Sequence, residues 1–260
     1  MKLKKKSLTI IGIIIIFLVA CFLLIYENMG KTSDFKVIDE SEKIEEAKKF
    51  GDDVTGWIRV EGTNIDLPLI ARNNEADVSR RDYEYAWTNS FPDDKSNHFT
   101  YISHNIRNVS SNPIVGDKSM TYFEQLMSFI YPDFIKDNQF IEFTYPSGKT
   151  TIFRIYGVSL IKDNQELSYY DTFNDKELED YIKQVREESM YDIDVDVDSN
   201  DMLLTLYTCT RFYGGNAYSF RIDARELREG EKMKYSTVDI NSNYDEIKEK
   251  MEEGEKNEKA

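Results

Sequence analysis

The feature that most constrains this 260-residue chain is a succession of short runs rich in β-branched and aromatic residues, each closed by turn chemistry. They are GWIRV, then a turn at Glu61-Gly62-Thr63-Asn64, IDLPLI with Pro68 near its end, HFTYI (His98 to Ile102), FIEFTY (Phe140 to Tyr145), TTIFRIYGVSLI (Thr150 to Ile161), MLLTLYT (Met202 to Thr208) and YSFRIDA (Tyr218 to Ala224). Pro146-Ser147-Gly148-Lys149 joins two of them as a hairpin. Only two stretches in this region read as helix. One is TYFEQLMSF (Thr121 to Phe129). The other is Asp175 to Glu188, where Leu178, Tyr181, Ile182 and Val185 recur at helical spacing and Asn174 with Glu177 supplies a capping box. Many strands and few helices predict a mainly β fold, a closed or nearly closed barrel with helical insertions.

Ahead of the barrel stands MKLKKK, then an apolar run from Leu8 to Tyr26. At about 1.5 Å per residue that run crosses most or all of a bilayer core. Lys2, Lys4, Lys5 and Lys6 precede it, whereas Glu27, Lys31 and Asp34 nearly balance after it, so the short end is expected in the cytoplasm and the bulk of the chain outside. LVAC (Leu18 to Cys21) resembles a lipobox, but FLLIY continues the apolar run, which favours an uncleaved signal anchor over cleavage. The expected organisation is a basic stub at 1–7, a transmembrane anchor at 8–26, a charged linker and amphipathic helix at 27–53, the barrel at 54–230 and an acidic extension at 231–260. That extension is read as a solvated helix or as disordered, because it carries few apolar groups to offset the entropy of ordering it. The net charge of −15, with no basic patch beyond the N-terminus, argues against nucleic acid as a partner.

An exported chain ordinarily pairs its cysteines, yet Cys209 has only Cys21, inside the apolar run, for company. A buried, inert thiol is the plain alternative. A nucleophilic one needs a partner, since a cysteine with its ordinary pKa of about 8.5 is mostly protonated near neutrality. The chain has two histidines. His104, just past the end of HFTYI, is placed to meet a thiol at the end of a neighbouring strand; His98, at the start, belongs to the opposite rim. A guanidinium to hold a developing oxyanion would come from Arg211, Arg221 or Arg225. In YSFRIDAR, alternation puts Arg221 on the face opposite Phe220 and Ile222.

These residues resemble the sortases, membrane-anchored cysteine transpeptidases of Gram-positive surfaces. Thr205-Leu206-Tyr207-Thr208-Cys209 matches the family's TLxTC signature, and His104-Asn105 looks like its histidine-asparagine pair. Arg221 stands on the following strand. The resemblance spans roughly Val54 to Leu227, and the helix before the cysteine strand, with the N-terminal helix, is similar to class B members. It implies catalysis by His104, Cys209 and Arg221, substrate contacts at Asn105, Tyr207 and Thr208, and no cofactor. It also implies secreted substrates bearing a C-terminal sorting motif, and an acceptor amine from a peptidoglycan precursor or a pilin lysine. Ser103 replaces a glycine common before the histidine, and Tyr207 is bulky at the variable position of the signature. The place of the family's arginine falls nearer Ser219 than Arg221, which leaves Arg211 as the alternative. A plain peptidase using water, or a tethered barrel that only binds, are the rival functions. The acids at every second position of DIDVDVDSND (Asp192 to Asp201) suggest a calcium loop, but Ser199 stands where the turn glycine belongs and Thr205 where the bidentate acid belongs. A solvated strand edge is expected there, and no metal site.

Overall fold

The computed structural model describes residues 15–17, 19, 30–38, 41–50, 53–71, 84–88, 92, 95–105, 122–162, 172–210 and 218–249. Contacts divide the chain into two compact units, Met1–Thr32 and Ser33–Ala260. Most of the run from Leu8 to Tyr26 lies outside the described residues; among those described, no helix is long and apolar enough to cross a membrane.

The second unit opens with α1 (Ser41–Ala47) and continues through β1 (Val54–Val60), β2 (Asp66–Ala71), β3 (Ala86–Thr88) and β4 (His98–Ile102). A tight 3-10 helix (Phe123–Ile130) and α2 (Pro132–Asp137) lead to β5 (Phe140–Thr144) and β6 (Thr150–Lys162). Then come α3 (Asp175–Glu188), β7 (Tyr191–Ile193), β8 (Leu203–Thr210), β9 (Tyr218–Glu226) and β10 (Val238–Ile240). Eight strands close into a barrel in the order β1-β2-β3-β4-β8-β9-β6-β5, with β5 returning to β1. The pairs β2/β3 and β4/β8 are parallel, and β10 and β7 form a separate two-stranded sheet.

Alternation along the strands builds the core. On β8 and β9, Leu204, Leu206, Phe220, Ile222 and Ala224 join a cluster with Phe153, Ile155 and Val158 of β6. The 3-10 helix packs into the same cluster with all eight of its residues buried. A tighter coil there replaces the ordinary helix expected over 121–129, and it brings the Gln125 amide oxygen within 2.5 Å of the Asn64 nitrogen.

The helix α3 covers part of the other face. Asn174 caps it: the side chain accepts from Glu177 N at 3.0 Å, and Glu177 answers by accepting from Asn174 N at 2.9 Å. Leu178, Tyr181, Ile182 and Val185 are buried, as their spacing requires. The close approach depends on Gly157 of β6, where an added Cβ would stand 2.4 Å from Val185 Cγ1. Gly62 closes the β1–β2 turn at φ +73°, in a conformation that disfavours side chains.

Beyond Glu231, β10 pairs with β7, residues 242–249 are helical, and Val238 and Ile247 enter the core. The few apolar side chains suffice because side-chain anchors reinforce them. Glu231 takes Arg225 at 2.5 Å and Arg154 at 2.8 Å, and Tyr235 donates to buried Glu61 at 2.7 Å. Glu61 also accepts from the backbone nitrogens of Gln139 and Phe140 and from the Ser33 hydroxyl. Burial outweighs these bonds and raises its pKa.

In the acidic run Asp192, Asp194, Asp196 and Asp198 are exposed. Its first residues are paired in β7, Ile193 and Val195 turn inward, and Arg228 gathers Asp196, Asp198 and Asp201 at 2.6, 3.2 and 2.8 Å.

Candidate active site at the β4–β8 rim

Every residue of β8 is buried except Cys209, the next to last. The thiol is free and exposed. Its neighbours explain the contrast. Thr208 on the opposite face donates to Ser103 O at 2.8 Å and Thr210 is buried, so the strand stays anchored on both sides of the thiol.

The parallel register brings the histidine alongside. His98 pairs with Leu203, Thr100 with Thr205 and Ile102 with Tyr207. Beyond the last pair, Ser103 N donates to Tyr207 O at 3.2 Å and the Thr208 bond continues the alignment. His104, two positions past Ile102, therefore stands abreast of Cys209, two past Tyr207, on a strand about 4.8 Å away. The ring of His104 is half-buried, with its centroid 4.9 Å from that of Trp87.

Trp87, which sequence reasoning did not single out, belongs to β3 and pairs with Ile102. Tyr85 packs edge-on against it at 6.5 Å, Phe50 packs on Tyr85 at 5.5 Å, and Ser103 Oγ donates to Tyr85 O at 3.1 Å. An aromatic wall thus backs the imidazole. The three-residue AWT run is too short to show alternation, so nothing in its pattern announced a strand.

The remaining expected residues divide. Asn105 is buried directly after His104. Tyr207 lies on the same face as Cys209 and is buried, while the Thr208 hydroxyl is engaged with Ser103 as described. Arg221 pairs across the sheet with Tyr207, and the residue opposite Cys209 is Ser219. The Arg221 side chain is only 4% exposed; Nε donates to Asp223 Oδ2 at 2.7 Å and Nη2 lies 2.8 Å from Glu188 Oε2. Burial works against its charge, but Asp223, Tyr181 and Glu188 together hold its pKa above the ordinary guanidinium value. Arg211 lies outside the described residues.

The second histidine has a different setting. His98 is fully buried at the other end of β4, its Nε2 2.8 Å from Thr205 Oγ1, between the rings of Phe173 and Tyr181. Six residues of strand, about 20 Å at strand rise, separate its register from that of Cys209. Among the described residues no group of three or more His, Cys, Asp or Glu side chains converges as a metal cradle.

Chemically, an exposed thiol abreast of an imidazole, at the mouth of two parallel strands, suits attack on a carbonyl carbon followed by proton transfer to a leaving amine. No family model matches the chain. A curated relative, sortase B of Staphylococcus aureus, is 26% identical over 178 residues, covering 66% of this chain and 69% of its own. Among solved structures, sortase B of Clostridium perfringens superposes with a TM-score of 0.59 at 24% identity, over 71% of this chain and 99% of that one. The Staphylococcus aureus sortase B–substrate complex superposes at 0.56 and 18% identity, over 73% and 87% respectively. The closed eight-stranded barrel matches the fold of these structures.

Proposed function

We propose that this sortase-family protein is a cysteine transpeptidase in which Cys209 is the nucleophile and His104 the general acid and base. The observation that carries the reading is the single exposed residue of β8, a free cysteine two residues past Tyr207, whose β4 partner Ile102 is followed two residues on by His104.

In the first half-reaction the Cys209 thiol gives its proton to the His104 imidazole and the thiolate attacks the carbonyl carbon of the scissile peptide bond. The resulting tetrahedral oxyanion collapses to a thioester as the C–N bond breaks, and the leaving amine takes a proton from the His104 imidazolium. In the second half-reaction an incoming amine gives its proton to the neutral imidazole and attacks the thioester, releasing the thiol. The likeness to a sortase B captured with its substrate, and to another complexed with triglycine, supports a sorting-signal peptide as donor and an amine as acceptor. The donor is a secreted protein with its sorting motif near the C-terminus. The acceptor is an amine of the cell wall, with a pilin lysine as the alternative.

The run from Leu8 to Tyr26 behind MKLKKK supports a single-pass anchor with the barrel outside the cell. Enzyme and membrane-held precursor then meet on one surface, which raises their effective concentration.

The test uses the full chain in detergent with a pool of sorting-signal peptides and an added amine. Mass spectrometry should find a thioacyl adduct on Cys209 and, with the amine, a ligated product; Cys209→Ala should form neither. Cleavage without ligation would make the protein a peptidase. A thiol that alkylates only on unfolding would make it a binding module.

A further inference from the structure

Arg221 belongs to a chain of buried polar side chains that runs away from the thiol. Its Nε meets Asp223 Oδ2 at 2.7 Å, and the other oxygen of that carboxylate accepts from Thr205 Oγ1 and from the Tyr181 hydroxyl, each at 2.7 Å. His98 Nε2 completes the chain at 2.8 Å from Thr205 Oγ1. At the other end, Arg221 Nη2 reaches Glu188 at the last turn of α3, and the guanidinium carbon lies 6.0 Å from the Tyr181 ring centroid.

The register gives this chain a direction. Cys209 pairs with Ser219, Tyr207 with Arg221 and Thr205 with Asp223. The carboxylate that holds Nε therefore sits beside Thr205, four residues and about 13 Å of strand from the Cys209 register. To reach a carbonyl on the thiol, the guanidinium would have to turn back along the sheet and abandon Asp223 and Glu188 in a site where Asp223 is 1% exposed. A buried carboxylate left without its cation is strongly disfavoured.

We propose that Arg221 is a positioning residue, committed with Asp223, Glu188, Tyr181, Thr205 and His98 to a buried spine that fixes the cysteine strand against β4 and β9 beneath α3, and that it does not act on the reacting carbonyl. The proposal rests on the cysteine chemistry proposed above. A guanidinium suits this role because it can hydrogen-bond one carboxylate through Nε while its charge pairs, without a hydrogen bond, with a second carboxylate beside Nη2, joining sheet to helix.

The experiment compares wild type, Arg221→Lys, Arg221→Gln and Arg221→Gln/Asp223→Asn as full chains, reading kcat, KM, melting temperature and the iodoacetamide labelling rate of Cys209. Arg221→Gln, which strands Asp223, should lower the melting temperature and alter labelling together with kcat. Arg221→Lys should lose less than tenfold in kcat, and the double variant should recover most of both the melting temperature and kcat, because the two deeply buried charges leave together and Glu188, 22% exposed, is left to water. A folded Arg221→Lys or double variant with native melting and labelling but kcat down a hundredfold or more would overturn the proposal, since an oxyanion donor costs that much.

Should the substitutions prevent folding, the Arg221 Nε–H resonance of the wild type decides. It should keep its shift and slow exchange when Cys209 is acylated, and a large shift would refute the proposal. Wild type without turnover and without Cys209 labelling would refute the cysteine reading instead, and the melting temperatures of the single and double variants would still report whether Arg221 is committed to Asp223.

Discussion

The two histidines of the chain, His98 at the start of β4 and His104 two residues past its end, have opposite fates. His98 is sealed between Phe173 and Tyr181 and bonded to Thr205, under the roof of α3. His104 leaves the strand at the open rim, close enough to Trp87 to be oriented and exposed enough to exchange protons. The same parallel pairing with β8 serves both, so pairing alone does not make a site. What differs is the cover: α3 and its buried ion pairs close one end, and at the other the only side chain of β8 open to solvent is a thiol.

The largest test of this contrast is at the rim. Cys209→Ala should reduce turnover by about 10⁴-fold or more, and His104→Ala by about 10²- to 10⁴-fold, with melting temperatures near wild type. Steady-state kinetics with differential scanning fluorimetry checks both, and a large loss of stability in either variant would erase the distinction between the ends. At the closed end the sign reverses. Asp223→Ala, which leaves Arg221 buried with only Glu188, should cost about 3–5 kcal/mol in urea unfolding.

Smaller changes sharpen the role of the roof. Gly157→Ala drives a methyl into Val185 and should cost about 1–3 kcal/mol by displacing α3. Asn174→Ala removes the helix cap for about 1 kcal/mol. Native-state hydrogen exchange should show both losses in α3 before β8, and protection lost first at the rim would contradict the assignment of α3 as the cover.

The smallest effect is a pH control remote from either end. The Glu61 carboxyl has a raised pKa in the folded state, so the native protein binds that proton more tightly than the unfolded chain does. Its contribution to stability is complete below the ordinary carboxylate pKa and is lost as pH rises through the raised value. Glu61→Gln should flatten that part of the melting-temperature profile without moving the pH profile of turnover.

Much of this was legible in the residues. HFTYI appears as a strand with the expected ends, the Asn174–Glu177 box caps the expected helix, and Cys209 falls near the end of the expected strand β8. These rest on local rules: alternation, helical spacing and capping depend on neighbours in the chain. The 3-10 coil, Trp87 as the backing of the imidazole and the pairing of β10 with β7 were not legible, because each depends on partners supplied from far along the chain.

Alternation within YSFRIDAR settled which face of β9 carries Arg221, since successive side chains of a strand must point to opposite sides. It left open whether that guanidinium turns toward the thiol or away from it. Folding decided this by setting Asp223 and the last turn of α3 within reach, and a buried cation goes where carboxylates compensate the loss of water. The strands that carry Cys209 and Arg221 were thus written in local pattern, while the orientation of the arginine was decided by the charges that the barrel and its helix enclose together.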